Sequence, residues 1–363
     1  MFLPWVFAAS APALGGEVVH PVQPRIVGGQ VATNGRYPYA QVSLQYDNDH
    51  YCGGTLIADE LVLTAYHCWD NFDMVEFHRF DFSNSTEVTD VIPASGLFWH
   101  PEYDEDNYHF DVLIVKLSRP VSPESGLSPI RVNRESDIPA SGQVLTAVGW
   151  GVLDDTDDPM FPTELHEVEL KYIPPEFCEK VKTSDGEEFG QYLTSDMMCA
   201  GAVGKDSCYG DSGGPLILKG DNPDEDVQIG VVSWGISCAG NYPGVYSRLS
   251  ESFDWIQAIV CAESKNPPPY FECTNNAPST PPETLISDIP TTSNTCPCEN
   301  ETEDSSSFIP SIIPSEAPSL RNADRPTVGA HRVPVLGSSS STMKAEGSQY
   351  LFALLSAILL VVM

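Results

Sequence analysis

Gly210-Asp-Ser-Gly-Gly-Pro215 is the stretch that decides between fold classes, because it sets Ser212 among glycines. Glycines let the backbone turn tightly, so that two N–H groups point toward the same place as the serine hydroxyl. A glycine-rich turn with a bystander serine is the simplest interpretation. The strand-to-helix turn of hydrolases with a parallel sheet also holds a serine between glycines. No alternation of strands and helices surrounds Ser212, so a parallel sheet is not predicted.

The sequence around this turn has the pattern of an all-β protein, in which short apolar runs are separated by turn residues. Examples of such runs are Ala40–Tyr46, Leu61–Leu63, Val112–Leu117 and Val227–Ser233. Only Glu251–Val260 has apolar residues at helical spacing, with Phe253, Ile256 and Val260 on one face. We therefore predict an all-β fold that a C-terminal helix closes.

Two residues are candidates to activate Ser212, since a serine hydroxyl is a weak nucleophile that needs a base and an orienting acid. His67 lies in Leu63-Thr-Ala-Tyr-His-Cys68, directly after a predicted strand. Asp111 immediately precedes the apolar strand Val112–Leu117, so it is expected to be partly buried and to need a partner. We predict that His67 is the base and Asp111 the acid that orients it.

Together these motifs resemble the trypsin-like (chymotrypsin-fold) serine protease family, and the order His, Asp, Ser matches. The matching motifs are Ile26-Val-Gly-Gly29 after Arg25, Leu63–Cys68, Asp111–Leu117 and Asp206–Pro215. A set of motifs in one order is much stronger evidence than any single motif. The resemblance implies two packed six-stranded antiparallel β-barrels, which the predicted C-terminal helix and then a disordered stalk would follow. One departure is Tyr66, because the family usually has alanine before the catalytic histidine.

The resemblance also implies a serine endopeptidase mechanism with an acyl-enzyme. Ser212 attacks the scissile carbonyl, His67 takes its proton and passes it to the leaving amine, and Asp111 stabilises the imidazolium. The N–H groups of Gly210 and Ser212 would form the oxyanion hole. This chemistry needs neither a cofactor nor a metal ion.

Substrate preference follows from Asp206, which lies at the family position that forms the base of the primary pocket. Gly235 and Gly244 match the pocket walls, where absent side chains leave room for a long cation. The alternative for Asp206 is a solvated loop acid. We expect protein or peptide substrates that are cleaved after Arg or Lys.

The same resemblance predicts a zymogen. Cleavage after Arg25 would free the amino group of Ile26, which in the family pairs with the acid before the nucleophile, here Asp211. Because Arg25 is itself a trypsin-like target, the activator is either a related protease or the enzyme itself.

The ten cysteines lack the repeated pairs of a zinc site and indicate disulfides formed in an oxidising compartment. The resemblance implies the bridges Cys52–Cys68, Cys178–Cys199 and Cys208–Cys238. Cys261–Cys273 and Cys296–Cys298 are suggested by proximity alone, and other pairings among those four cysteines stay open.

Charge excludes one class of partner, since the formal net charge of -33 repels nucleic acid and anionic membrane surfaces. Asp154–Asp158 is interpreted as an acidic surface loop in preference to a metal site. Asn84 and Asn300 begin acceptor sequons, so N-glycosylation is predicted at both.

The ends of the chain differ in composition from its centre. An apolar run near the N-terminus indicates a signal peptide. A Pro/Ser/Thr-rich segment predicts a stalk, and the uncharged apolar end predicts a glycolipid-anchor signal or, as the alternative, a short membrane segment. The predicted regions are a signal peptide at 1–13, an activation propeptide at 14–25, the protease domain at 26–262, the stalk at 263–349 and the hydrophobic tail at 350–363. The protein would be secreted, with membrane attachment through the tail if the tail is an anchor.

Two other functions are compatible with parts of this pattern. A catalytically inactive relative could serve as a binding module, since fold does not imply function. An esterase could use the same three residues, but Asp206 would then have no purpose. The intact triad, pocket acid and activation sequence favour the protease.

Overall fold

A computed structural model describes residues 27–273, except 70–71, 73, 88, 154–159, 239 and 241. The predictions that fall outside the described residues concern the signal peptide, the propeptide, Arg25, Ile26, Asp154–Asp158, Cys296, Cys298, Asn300, the stalk beyond Cys273 and the tail.

Strands account for most of the regular secondary structure in the described part of the chain. They are β1 Gln30–Val31, β2 Val42–Tyr46, β3 Asp49–Gly53, β4 Thr55–Ala58, β5 Leu61–Thr64, β6 Met74–Phe77, β7 Asp90–Ile92, β8 Ala94–Trp99, β9 Leu113–Leu117, β10 Arg131–Val132, β11 Val144–Gly149, β12 His166–Ile173, β13 Met197–Gly201, β14 Pro215–Leu218, β15 Val227–Trp234 and β16 Gly244–Arg248. The α-helices are α1 Pro175–Cys178 and α2 Leu249–Glu263, and short 3-10 turns include Tyr66–Cys68 and Pro269–Phe271.

The N-terminal half contains two four-stranded antiparallel sheets, with the orders β3-β2-β6-β7 and β4-β5-β9-β8. The chain passes from one sheet to the other at Gly54. A Cβ there would lie 2.8 Å from Val62 Cγ1 and 3.0 Å from Leu44 Cδ1, so both sheets close on one core. Strands β5 and β9 are apolar along almost their whole length because both faces are covered. Within the described residues, the pairings here do not form the closed six-stranded ring that was expected of each half.

The C-terminal half is a closed barrel of six strands. Its order is β12-β11-β14-β15-β16-β13, and β13 pairs with β12 to complete the ring. Closure leaves no exposed sheet edge within the ring. Two further strands attach to this barrel, since β1 pairs with β12 and β10 with β15. The all-β class and one six-stranded barrel are therefore confirmed.

Helix α2 ends the domain as predicted, and Phe253, Ile256 and Val260 are all buried. It extends beyond the predicted range in both directions. Neither it nor any other helix in the described residues is long and apolar enough to cross a membrane.

After α2 the chain folds back on the domain, although the stalk was predicted to begin at residue 263. Cys273 forms a disulfide with Cys261, and Phe271 is fully buried with its ring stacked on Phe253 at 5.9 Å between centroids. The Lys265 N–H donates to Glu60 Oε1 at 2.9 Å. Folded structure therefore continues to Cys273, and we name residues 264–273 the C-terminal clasp.

Candidate active site

His67 and Asp111 meet because two neighbouring strands end at the same edge. Thr64 of β5 pairs with Leu113 of β9, so the residues that follow β5 and those that precede β9 leave the sheet together. His67 Nδ1 lies 2.7 Å from Asp111 Oδ2, and the His67 backbone N–H donates to Asp111 Oδ1 at 2.9 Å. The carboxylate thus fixes both the ring and the backbone of His67.

Asp111 is fully buried and remains a carboxylate. Burial acts to raise its pKa, but the charge of His67 and the hydrogen bonds from His67 and Ser233 outweigh burial and hold the pKa below its ordinary value. The Ser233 hydroxyl donates to Oδ2 at 2.6 Å. An ionised Asp111 requires the proton of a neutral His67 to sit on Nδ1, which leaves Nε2 free to accept a proton from a serine.

The turn that carries Ser212 lies directly against the segment that leads to His67. Gly213 has a φ of +76°, and a Cβ on it would lie 2.1 Å from Thr64 Oγ1 and 3.1 Å from the Ala65 nitrogen. The Gly53 N–H donates to the Ser212 carbonyl at 2.8 Å. The turn can approach this closely only because residue 213 has no side chain. All three predicted catalytic residues therefore lie at one place, between the N-terminal half and the C-terminal barrel.

His50, which sequence reasoning missed, holds the backbone of Gly210. Its Nε2 lies 2.9 Å from the Gly210 carbonyl, and its Nδ1 lies 2.8 Å from Ser43 Oγ. Burial lowers the pKa of His50 to about 4, so the ring is neutral at pH 7. The neutral ring then donates from Nε2 to the carbonyl and accepts from Ser43 at Nδ1. No spacing in the sequence marks His50, because its partner lies far along the chain.

Asp211 is buried between backbone N–H groups. Its carboxylate accepts hydrogen bonds from the N–H groups of Cys208 and Gly151, each at 2.8 Å. Burial raises its pKa to about 6 although these bonds oppose the rise. Among the described residues, no cationic side chain forms an ion pair with Asp211. Backbone N–H groups thus supply the described hydrogen bonds of this carboxylate.

The N-terminal end of the described chain lies beside the loop that precedes Ser212. The Asp206 N–H donates to the Val27 carbonyl at 3.1 Å. A Cβ on Gly28 would lie 2.3 Å from the Gly204 carbonyl oxygen, so the two segments are in direct contact.

Asp206 is buried beside Gly244. The residue is 2% exposed, and a Cβ on Gly244 would lie 2.8 Å from its Oδ1. Gly235 faces open space, since the nearest atom to its Cβ position is 4.0 Å away. The structure thus places Gly244 directly against Asp206, and it leaves the space beside Gly235 open.

Comparison with known proteins decides the family. A family profile described as Trypsin matches residues 26–256. The chain belongs to the trypsin family of serine proteases.

Individual members of the trypsin family match the same part of the chain. Hypodermin-B from Hypoderma lineatum is 34% identical over 69% of this chain and 92% of its own length. Trypsin beta from Drosophila erecta is 32% identical over 69% of this chain and 96% of its own length. Ovochymase from Halocynthia roretzi is 33% identical over 65% of this chain but 15% of its own length.

Tyr66, the departure from the trypsin family pattern, packs into an aromatic cluster. Its ring centroid lies 3.9 Å from that of Tyr103, 5.9 Å from Trp99 and 6.1 Å from Trp69. The bulky side chain is accommodated because it packs against Tyr103 in the loop between β8 and β9. No sequence signal linked Tyr66 to Tyr103.

The bridges implied by the trypsin family, Cys52–Cys68, Cys178–Cys199 and Cys208–Cys238, are all formed. Asn84 is exposed, and its Oδ1 accepts the Thr86 N–H at 3.1 Å. Among the described residues, the group with metal-like geometry is Cys52, His67 and Cys68. The two sulfurs of that group are bonded to each other, so they offer no thiolate to a metal.

Proposed function

We propose that this chain is a secreted serine endopeptidase that cleaves peptide bonds after Arg or Lys and is made as a zymogen. The observation that carries the proposal is the buried hydrogen bond between His67 and Asp111 beside the Ser212 turn. A base oriented by a buried acid is what a serine nucleophile needs. Proteins and peptides are the substrates expected of a trypsin family member.

In the proposed reaction, Ser212 Oγ adds to the scissile carbonyl while its proton moves to His67 Nε2. The carbonyl oxygen becomes an oxyanion that the N–H groups of Gly210 and Ser212 stabilise, and the loss of one such donor typically costs about 3 kcal/mol. His67 then gives its proton to the leaving amine, and an acyl-enzyme forms. Water repeats the sequence with the same proton transfers and releases the acid.

The preference for Arg or Lys rests on Asp206. A buried carboxylate is stabilised by an opposite charge, and the bare walls at Gly235 and Gly244 leave room for a long side chain. The Cys208–Cys238 bridge joins the segment that carries Asp206 to the wall that follows Gly235.

Activation is proposed to follow cleavage after Arg25. The new amino group of Ile26 would pair with Asp211, whose neighbours in the described chain supply N–H groups but no charge. That pair would fix the turn that holds Gly210 and Ser212. The activator is a related protease or the enzyme itself.

The domain plan is also part of the proposal. It has a signal peptide at 1–13, a propeptide at 14–25, a protease domain that begins at residue 26 and continues to Cys273, a stalk from there to residue 349, and a tail at 350–363 that is a glycolipid-anchor signal or a short membrane segment. Within the protease domain, we propose that the two four-stranded sheets act together as the counterpart of the first barrel of the family. N-glycans are proposed at Asn84 and Asn300.

The proposal is tested with protein cleaved after Arg25 and matched peptide amides that end in Arg, Lys or Phe. We expect turnover of the Arg and Lys substrates, loss of turnover in Ser212→Ala, and no turnover in uncut Arg25→Gln. Asp206→Ser should lower kcat/KM for the Arg substrate by about 100-fold or more, because the cation is left unpaired.

Each contrary result overturns a different part. Absence of turnover with every substrate would favour a binding module. A preference for Phe would retain the triad but contradict the role of Asp206. Full activity of Arg25→Gln would exclude the zymogen.

A further inference from the structure

We propose that Asp196 is a positioning residue for the catalytic triad, because it holds the strained segment that sets Asp111 in place. The proposal rests on the proposed function, since it assigns a role within the same site. Asp196 belongs to the C-terminal barrel, immediately before β13, whereas Asp111 belongs to the N-terminal half. Its proposed role is therefore to hold Asp111, in the N-terminal half, at a fixed position relative to the C-terminal barrel.

The segment before Asp111 has a backbone that it does not adopt by preference. Tyr108 has a φ of 60° and Phe110 a φ of 49°, and both are bulky residues in the left-handed region. That region is unfavourable for residues with a Cβ, and such a conformation persists only where its surroundings impose it. Something outside the segment must therefore hold it.

Asp196 provides this restraint with both carboxylate oxygens. It is 1% exposed. Its Oδ2 accepts the Phe110 N–H at 2.6 Å, and its Oδ1 lies 2.6 Å from His109 Nδ1. The Thr194 hydroxyl also donates to Oδ1, at 2.5 Å. All three bonds meet one buried side chain, so the backbone between residues 109 and 110 is fixed from the C-terminal barrel.

The His109 bond does not depend on the charge of the ring. Nδ1 carries a proton in the imidazolium and in the neutral tautomer that donates from Nδ1. Either form of the ring can therefore donate to the Asp196 carboxylate.

Two serines of the C-terminal barrel, Ser247 and Ser233, complete the restraint on Asp111. Met197 pairs with Ser247 across β13 and β16, so Asp196 and Ser247 lie side by side at one end of the barrel. The Ser247 hydroxyl donates to the Asp111 carbonyl at 2.9 Å. Ser233 on β15 donates to the Asp111 carboxylate. The barrel thus fixes the backbone on both sides of Asp111 and the side chain as well.

The consequence concerns the 2.7 Å bond between Asp111 and His67. Asp111 must meet the ring and the backbone N–H of His67 together, so a shift of its backbone weakens both bonds. A displacement of about 1 Å at a site can lower its rate by about 100-fold. Relaxation of residues 108–110 would therefore displace His67 through Asp111, although no residue that touches substrate has been changed.

The test compares Asp196→Asn with Asp226→Asn in the full-length protein cleaved after Arg25. Asp226 is a matched control, because it is also fully buried in the C-terminal barrel and accepts hydrogen bonds from Arg36 and Tyr39 of the N-terminal half. It immediately precedes β15, at the end opposite Ser233. Two quantities are measured: kcat per titrated active site, and the pKa of the His67 ring by NMR titration.

For Asp196→Asn we expect kcat per titrated site to fall about tenfold with KM nearly unchanged. The pKa of His67 should fall by about one unit, because a displaced carboxylate stabilises the imidazolium less. Asp226→Asn should change neither quantity, although it lowers the melting temperature. A purely structural role would reduce only the number of active sites, so an unchanged kcat and an unchanged His67 pKa in Asp196→Asn would overturn the proposal.

Two further outcomes are distinguishable. If the wild-type protein has no turnover, the proposed function fails, but the NMR titration still decides the role of Asp196. If Asp196→Asn does not fold, His109→Leu is used in its place. This substitution, at a half-buried position, removes one of the hydrogen bonds to Asp196. A fall of about threefold in kcat, with a lower His67 pKa, then supports the proposal, and wild-type values contradict it.

Discussion

Gly213 is the residue at which the Ser212 turn and the His67 segment come closest. Its φ is positive, and a Cβ added to it would lie 2.1 Å from Thr64 Oγ1, which leaves no room for any side chain. Gly142 has a similar φ of +71°, but no atom lies within 4 Å of its Cβ position. The two glycines therefore separate the effect of backbone conformation from that of steric contact.

Gly213→Ala should lower the free energy of unfolding by at least about 2 kcal/mol more than Gly142→Ala, because only Gly213→Ala adds a clash. Gly142→Ala should cost about 1 to 2 kcal/mol for the left-handed backbone alone. Denaturant unfolding of both variants measures the difference. Equal losses would mean that the turn can move away from Thr64.

Asp211 gives a second prediction, on pH, for the uncut Arg25→Gln protein. Its pKa is about 6 in the fold against an ordinary value of 3.8, so the folded state binds more protons than the unfolded state between these values. We compare the Arg25→Gln protein with the same protein carrying Asp211→Asn. The free energy of unfolding of the first, relative to the second, should fall by roughly 3 kcal/mol as pH rises from about 4 to above 6.

Melting curves of Arg25→Gln and of Arg25→Gln with Asp211→Asn, recorded across this pH range, measure the effect. A constant difference between them would contradict the raised pKa of Asp211. In the wild-type protein cleaved after Arg25 the trend should be reversed, because the Ile26 ammonium would stabilise the ionised carboxylate.

Residues differ in how far the sequence could predict their place. Asp111, His67 and Ser212 were predictable because each lies in a local motif, and motifs need no contacts to be recognised. His50 and Asp196 were not, since their partners lie 160 and 87 residues away along the chain and only folding brings them together.

At the scale of elements, the C-terminal clasp extends α2 into the N-terminal half. The Tyr270 hydroxyl donates to the Ile130 carbonyl at 2.7 Å, and Gln257 of α2 donates to the Phe271 carbonyl at 2.5 Å. Helix α2 was predictable from its apolar spacing. The clasp was not, because its proline-rich sequence has the composition of a linker and its order comes from a disulfide and one buried ring.

Replacing Cys261 and Cys273 together by serine should lower the free energy of unfolding by about 3 kcal/mol, as expected for a bridge that closes a short loop. The two cysteines are 12 residues apart. Activity per titrated site should stay at the wild-type level, since the described hydrogen bonds of the clasp run to Glu60, Ile130 and Gln257 and not to the triad. Denaturant midpoints and active-site titration check both parts, and a loss of kcat would show that the clasp also shapes the site.

The two halves of the domain also differ in predictability. The closed barrel agreed with the fold that the family resemblance implied. In the N-terminal half, the switch between sheets at Gly54 depends on how Leu44 and Val62 pack around it, and strand patterns do not encode that packing.

At the scale of the whole molecule, the formal net charge of -33 should attract basic substrates. Raising the ionic strength from about 10 mM to about 500 mM should lower kcat/KM about tenfold for a peptide with several flanking lysines. A peptide with one arginine and neutral flanks should respond much less. Equal responses would mean that the acidic surface does not steer substrate.

The contact between Lys265 and Glu60 has a practical consequence for attaching the protein to a solid support. Glu60 precedes β5, and His67 follows the other end of that strand. The last described residues are thus bound at the end of β5 remote from the triad. A chain that ends shortly after Cys273 could be coupled to a bead or sensor chip through its new terminus. The triad would then face the liquid, so that large folded proteins as well as short peptides could reach it.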